Sequence, residues 1–89
     1  MLARTQINNT TANVYTCPSG KKAYIYVDVA SNDGSQVSMT VSIGDGTTFY
    51  TYWTGTTNFL TLKLVLDGGD VLRVGTTGLV NVFVYGIER

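Results

Sequence analysis

The feature that most constrains this chain is a strict alternation of apolar and polar residues in three separate segments. Residues 23–29, 37–43 and 60–66 each place an apolar side chain at every second position. Successive side chains of a β-strand point to opposite faces, so a period of two predicts strands with one buried and one exposed face. No window shows the spacing of an amphipathic helix. The pattern therefore predicts an all-β protein.

Composition and turn residues lead to the same prediction. The chain has fourteen threonines, eleven valines and six tyrosines but one glutamate, and branched and aromatic residues favour strands over helices. Residues that favour turns separate the apolar segments; these are Pro18-Ser19-Gly20, Asn32-Asp33-Gly34, Gly44-Asp45-Gly46, Thr54-Gly55-Thr56, Asp67-Gly68-Gly69-Asp70 and Gly75-Thr76-Thr77-Gly78. We predict a single domain, residues 1–89, forming an antiparallel β-sandwich that is jelly-roll-like. Its eight short strands are expected near residues 2–8, 12–17, 22–30, 36–43, 47–53, 59–66, 70–75 and 79–87.

The last predicted strand is apolar on both of its faces. Val80, Val82 and Val84 lie on one face, and the other face carries Leu79, Phe83, Tyr85 and Ile87. A strand that is apolar on both faces is normally covered on both. The second face is covered either by a loop or an N-terminal arm of the same chain, or by a neighbouring subunit.

The charge of the chain argues against several classes of partner. Charged residues make up 13% of the sequence, about half the usual fraction. The formal net charge is zero, so no basic surface is expected that would attract nucleic acid or anionic lipid. No apolar run is long enough for a membrane span. Weak mutual repulsion between copies favours a protein that works as an assembly.

The cysteine and histidine content argues against disulfide, zinc and thiol chemistry. The only cysteine is Cys17, and there is no histidine, so neither an intrachain disulfide nor the usual zinc ligands are expected. A nucleophilic cysteine would need a base that the chain lacks, and Cys17 is predicted to be a small apolar residue at a strand end. The N-terminal sequence "MLARTQINNTT" lacks the apolar core of a signal peptide, which predicts synthesis in a cytoplasm.

The carboxylates are predicted to shape turns. Four of the six acidic residues adjoin glycine in turn segments, where an aspartate side chain accepts backbone N–H groups. Asp67 and Asp70 offer two carboxylates, whereas calcium needs six to eight oxygens. We therefore interpret Asp67, Gly68, Gly69 and Asp70 as a connection between two strands. No catalytic residue, metal site or cofactor is predicted.

Aromatic residues are the best candidates for recognition. In the segment 49–53, alternation predicts Phe49 and Trp53 on one face and Tyr50 and Tyr52 on the other. Exposed tyrosine or tryptophan on a sheet is typical of ordinary sheet packing, of an interface with protein, or of stacking against sugar rings. The candidate interface residues are Tyr24, Tyr26, Tyr50, Tyr52, Trp53, Phe83 and Tyr85.

Two stretches resemble the small all-β virion structural proteins of tailed bacteriophages. In "YTCPSGKKAYIYVDVASND", an aromatic-Thr-x-Pro-x-Gly-Lys element leads into an alternating strand and an Asn-containing turn. In "LTLKLVLDGGDVLRV", a leucine strand meets Gly-Asp and a short apolar strand, and the end "GIER" also fits. The resemblance covers most of the chain through loose motifs. It departs at Cys17, where an apolar residue is expected.

The resemblance implies a non-enzymatic structural protein of the virion, made in the host cytoplasm. It implies a capsid decoration or cement protein first, and a tail or fibre component as the alternative. Partners would be further copies, with a trimer favoured, and other virion proteins such as the major capsid protein. Residues 1–13 would form an extended N-terminal arm. A small carbohydrate-binding module that uses exposed tyrosine and Trp53 is the alternative from another class.

Overall fold

The computed structural model describes the whole chain, Met1–Arg89. It contains eight β-strands and no helix, and hence no helix that could cross a membrane. The strands are β1 (Ala3–Asn8), β2 (Thr11–Thr16), β3 (Lys22–Ser31), β4 (Val37–Gly44), β5 (Phe49–Thr57), β6 (Phe59–Asp67), β7 (Val71–Thr76) and β8 (Leu79–Glu88). Seven of the eight predicted strands have ends within one residue of these bounds.

The strands form two four-stranded antiparallel sheets. Sheet I has the order β1-β8-β3-β6, and sheet II has the order β2-β7-β4-β5. Except between β4 and β5, the chain passes to the other sheet at every connection, which interleaves the two sheets in the manner of a jelly roll. The predicted fold class, an all-β antiparallel sandwich, is therefore confirmed.

The core lies between the two sheets and is built from the alternating apolar residues. On β3, Ile25, Val27 and Val29 are at most 1% exposed. Met39 and Val41 from β4 and further apolar side chains from sheet II meet them. Each fully buried side chain of this kind stabilises the fold by about 1.5–3 kcal/mol relative to its exposed state.

Strand β5 departs from the prediction at its end. Thr54-Gly55-Thr56 was expected to be a turn, and this expectation is wrong, because β5 continues to Thr57 and Gly55 pairs with Met39. The reason is steric: the Trp53 ring lies over Gly55, 3.0 Å from where a Cβ would stand. Glycine here marks the close approach of a ring within a strand. The corner comes at Asn58, whose carbonyl accepts the Ser31 N–H at 2.9 Å.

A β-bulge in β5 also changes which aromatic residues share a face. Trp53 pairs with Val41 and Thr51 with Ser42, so that Tyr52 is an extra residue. An extra residue reverses the alternation beyond it. Trp53 consequently packs against the core, whereas Phe49 lies on the outer face. The prediction that Phe49 and Trp53 share a face is wrong for this reason.

The N-terminal residues take part in both sheets. Strand β1 pairs along its length with β8, from Ala3 opposite Val84 to Asn8 opposite Leu79. Strand β2 pairs with β7. Because β1 is an edge strand, its outer backbone groups have no partner within the chain. An N-terminal arm that reaches a neighbouring subunit stays a prediction. Slower hydrogen exchange of residues 1–13 in particles than in the free protein would support it, and equal exchange would contradict it.

Candidate interaction surfaces

The outer face of sheet I carries a patch of exposed apolar side chains. The strand register sets them in rows: Val65, Tyr24 and Ile87 lie side by side, and Tyr26 and Tyr85 form the next row. Val65 is 55% exposed, Ile87 49%, Tyr24 44% and Tyr26 42%. We call this group of five residues the tyrosine face. An exposed apolar surface formed by three adjacent strands is a candidate site for contact with another molecule.

Hydrogen bonds hold the second row of the tyrosine face in place. The rings of Tyr26 and Tyr85 stack with their centroids 5.6 Å apart and their planes at 19°. The Tyr85 hydroxyl donates to Asp28 Oδ2 at 3.2 Å, and the Thr61 hydroxyl donates to Asp28 Oδ1 at 2.9 Å. Desolvation, together with this bond to the Asp28 carboxylate, raises the pKa of Tyr85. Phe83 lies opposite Asp28 and is half-buried.

Two positive charges border the tyrosine face. The Lys63 ammonium is 6.0 Å from the centroid of the Tyr26 ring, and the Arg89 guanidinium is 5.8 Å from that of Tyr24. Neither cation has a carboxylate partner, because the only salt bridge of the molecule joins Lys22 and Asp67 at 3.5 Å. The rim of this face therefore offers two cations to a partner.

A second exposed aromatic group lies on β5, the edge strand of sheet II. Tyr50 is 72% exposed and Tyr52 is 55% exposed, and we call this pair the edge patch. The β5 strand contains no charged residue. The nearest carboxylate in the sequence is Asp45, in the turn that leads into β5, where it accepts the N–H groups of Thr47 and Thr48 at 2.9 and 2.8 Å. These hydrogen bonds lower the pKa of Asp45, which has no cationic partner.

Trp53 lies apart from both exposed groups. Its half-buried ring packs against the core and over Gly55. We expect Trp53→Ala to lower the free energy of unfolding by about 2–3 kcal/mol, because it removes a large ring from the core. Trp53→Phe should recover most of the loss in urea unfolding followed by circular dichroism. A loss below about 0.5 kcal/mol for Trp53→Ala would contradict this placement.

Sequence reasoning missed one contact on the outer face of sheet II. The Arg73 guanidinium stands 3.6 Å from the centroid of the Phe49 ring, and Arg73 Nε donates to Asn13 Oδ1 at 3.0 Å. Three strands, β2, β7 and β5, supply these groups. Nothing in the local sequence links them, because β7 and β5 are neighbours only through β4.

Asp67, Gly68, Gly69 and Asp70 connect β6 to β7. The Asp67 N–H donates to Asp70 Oδ2 at 2.8 Å, and the Asp70 N–H donates to the Asp67 carbonyl at 3.0 Å. The Gly69 N–H donates to the Cys17 carbonyl at 2.9 Å, and the Cys17 N–H donates to the Asp70 carbonyl at 2.9 Å. The connection is thus tied to the end of β2. No three acidic or cysteine side chains of the chain cluster as metal ligands would.

The geometry of this connection predicts that substitution of its glycines destabilises the fold more than substitution of its aspartates. Gly69 has a φ of +91°, which a branched side chain adopts only under strain. We expect Gly69→Val to lower the free energy of unfolding by about 2 kcal/mol and Asp67→Asn by less than about 0.5 kcal/mol. Urea unfolding of both variants measures the difference. Equal losses would contradict this interpretation of the turn.

A buried cluster beside this turn predicts sensitivity to alkali. The Cys17 thiol is fully buried, within 3.7 Å of the carbonyl oxygens of Pro18, Lys21 and Leu66. The Tyr15 hydroxyl donates to Glu88 Oε2. Burial raises the pKa of Cys17, and burial together with the Glu88 carboxylate raises the pKa of Tyr15. Both side chains therefore hold their protons longer in the folded than in the unfolded state.

We expect stability to be constant between neutral pH and about pH 8.5 and to fall above it, because the unfolded chain then loses protons that the folded chain retains. The slope reaches about 1.4 kcal/mol per pH unit for each such group. Urea unfolding between neutral pH and pH 11 measures it, and Tyr15→Phe should reduce the slope above about pH 10. An unchanged slope in that variant would contradict the role of Tyr15.

The two interleaved four-stranded sheets define the class of this protein, a small jelly roll. No protein-family model matches the chain, and no curated protein matches it. Two crystal structures of a pentameric capsid protein isolated from metagenomic phage sequences share the fold. One has a TM-score of 0.59 over 97% of this chain and 60% of its own, and the other 0.57 over 96% and 64%; both are 15% identical in sequence. The chain therefore spans less than two thirds of their length, and the likeness is one of fold.

Proposed function

We propose that the chain is a non-enzymatic structural protein of a phage virion. The observation that carries the proposal is the jelly-roll fold, shared over 97% of the chain with a phage capsid protein. The surface supports it in a second way, because no pocket opens in it while several large apolar side chains are exposed on the sheets. Small-molecule sites are concave, whereas flat apolar surfaces suit protein partners.

Within the virion we propose a decoration or cement protein of the capsid. The molecule is a flattened plate of 38 × 25 × 17 Å. A plate of this kind gains most contact area by lying against other subunits. Its partners would be further copies of itself and the major capsid protein. A tail or fibre component remains the alternative location.

We propose a ring of identical subunits. The family resemblance of the sequence implies a trimer, whereas the proteins with similar structures are pentamers, and we therefore favour five copies. Native mass spectrometry of the purified protein measures this directly. A species of about five times the 9.6 kDa chain mass is expected. A species of three times that mass would contradict the pentamer and support a trimer.

The virion role is tested on particles of the phage that encodes the chain. We expect tandem mass spectrometry to find the chain in purified capsids at many copies per particle. Particles assembled without it should release their genome at a lower temperature than complete ones. Recovery of the chain only with isolated tails would overturn the capsid location, and its absence from purified particles would overturn the virion role.

A carbohydrate-binding module is the second candidate function, favoured by the stacked Tyr26 and Tyr85 rings beside the Asp28 carboxylate. Aromatic rings stack on sugars, and a carboxylate accepts hydrogen bonds from their hydroxyl groups. A glycan array separates the two functions. A structural role predicts no saturable binding, whereas binding that disappears in Tyr26→Thr and persists in Tyr50→Thr would favour the module.

A further inference from the structure

We infer that copies of this chain associate head to tail, with the tyrosine face of one subunit against the edge patch of the next. This inference rests on the ring assembly proposed above and specifies its contact surfaces. It starts from the position of the exposed apolar residues. Tyr24, Val65 and Ile87 lie on the outer face of sheet I, whereas Tyr50 and Tyr52 lie on the edge strand of sheet II. One subunit thus carries two separate apolar groups.

Two different patches per subunit are what a ring requires. A two-fold dimer uses one patch twice, whereas a head-to-tail contact joins two patches and closes into a ring when the rotation between neighbours allows it. The tyrosine face and the edge patch lie on different sheets and different parts of the surface. A contact between them therefore joins successive subunits head to tail, the arrangement from which closed rings are built.

The edge strand itself favours a partner that covers it with side chains. β5 is nine residues long and contains neither a charged residue nor proline, the features that usually protect an edge strand. Its bulge at Tyr52 interrupts the regular backbone pattern. A bulge disfavours the addition of another strand and redirects a side chain. Tyr50 and Tyr52 are the large exposed side chains of this edge strand that such a partner would cover.

The charges at the rims of the two surfaces are opposite in sign, whereas the Asp28 carboxylate beside the tyrosine face accepts hydrogen bonds from the Tyr85 and Thr61 hydroxyl groups. Lys63 and Arg89 border the tyrosine face without an acidic partner. Asp45 precedes the edge patch without a basic partner, and as an exposed aspartate it is ionised at neutral pH. Docking of the edge patch on the tyrosine face would bring Asp45 toward the two cations. Opposite charges at the rim of an interface select its orientation.

The area of the outer face of sheet I is close to that of a standard interface. Four strands of about nine residues, spaced about 4.8 Å apart, cover roughly 600 Å² before the relief of the side chains is added. A standard interface buries about 800 Å² on each partner. The whole outer face of sheet I, of which the tyrosine face is one part, therefore approaches the size that stable association needs.

Two variants that each disrupt one surface test the inference. The face variant carries Tyr24→Thr and Ile87→Thr, and the edge variant carries Tyr50→Thr and Tyr52→Thr. Threonine retains the strand preference, and circular dichroism reports whether each variant remains folded. As a control, Thr40→Ala with Thr54→Ala alters exposed hydroxyl groups of sheet II that bond to each other at 3.0 Å.

Native mass spectrometry of the variants has a characteristic expected result. Each folded variant alone should be monomeric, and the control should assemble like the unmodified chain. An equal mixture of the face and edge variants should form a dimer and no larger species, because one intact contact remains. An edge variant that still dimerises alone, or a mixture that stays monomeric, would overturn the inference. So would an unmodified chain that is monomeric, an outcome that leaves the test for presence in virions independent.

The charge contact is tested by Asp45→Asn. The amide oxygen can still accept the N–H groups of Thr47 and Thr48, so the turn is retained while the charge is removed. The matched control is Asp33→Asn, because Asp33 accepts the Ser35 N–H at 3.0 Å in the same way but lies in the turn between β3 and β4. We expect subunit affinity to fall about three- to tenfold for Asp45→Asn and to be unchanged for Asp33→Asn. Equal effects would overturn the proposed pairing.

Discussion

Gly86→Ala is expected to lower the free energy of unfolding by at least about 3 kcal/mol, a large loss for a single added methyl group. Gly86 lies in β8 opposite Ile25 and has a φ of +146°. A Cβ there would stand 2.0 Å from the Tyr24 carbonyl oxygen and 2.9 Å from the Ile25 Cα. Both contacts are with backbone, so β8 must separate from β3 to admit the methyl group.

The consequence would extend beyond stability. Separation of β8 from β3 at this point displaces Ile87, Tyr85 and Tyr24, which belong to the tyrosine face. A domain of this size is stable by roughly 4–13 kcal/mol, so the variant loses a large share of its stability. It also loses the regular arrangement of side chains on the tyrosine face.

Urea unfolding followed by circular dichroism measures the effect. Gly34→Ala is the matched control, because Gly34 also has a positive φ, +80°, but has no atom within 4 Å of the added Cβ. It measures the cost of a positive φ in the absence of a close contact, about 1–2 kcal/mol. If Gly86→Ala were no more harmful than Gly34→Ala, the close packing of β8 on β3 would be wrong.

The strands could be predicted from the sequence because their signal is local. Alternation in residues 23–29 reports directly which side chains face the core, and the flanking glycines report where the chain turns. The same local rule failed in β5. The bulge at Tyr52 follows from the register with β4, and Gly55 leaves room for the ring of Trp53. Both features depend on contacts that a period-two pattern does not contain.

The candidate surfaces could be predicted only in part. Alternation placed Tyr24 and Tyr26 on the outer side of their strand. It could not bring Val65 and Ile87 beside Tyr24, because that row requires β6 and β8 to flank β3. Strand order is a long-range property, and residues more than forty positions apart meet through it. The sequence consequently indicates single aromatic residues, whereas the structure brings them together with Val65 and Ile87 in one continuous face.

The second large effect concerns adjacent positions of β3 with opposite consequences. Ile25 is 1% exposed and lies in the core, whereas Tyr26 is 42% exposed on the tyrosine face. We expect Ile25→Ala to lower the free energy of unfolding by about 3 kcal/mol, through the lost burial and the cavity left behind. Tyr26→Thr should cost only about 1 kcal/mol, mainly from the lost stacking on Tyr85.

Assembly should respond in the reverse order, because stability and association depend on opposite faces of one strand. With the protein folded at low temperature, Ile25→Ala keeps the tyrosine face and should retain its subunit affinity, whereas Tyr26→Thr should weaken association at least about tenfold, since aromatic residues at the centre of an interface carry much of its binding energy. Urea unfolding and analytical ultracentrifugation of both variants measure the two effects separately. If the core variant loses association while folded, or if the surface variant associates normally, the outer face of sheet I is not the contact surface.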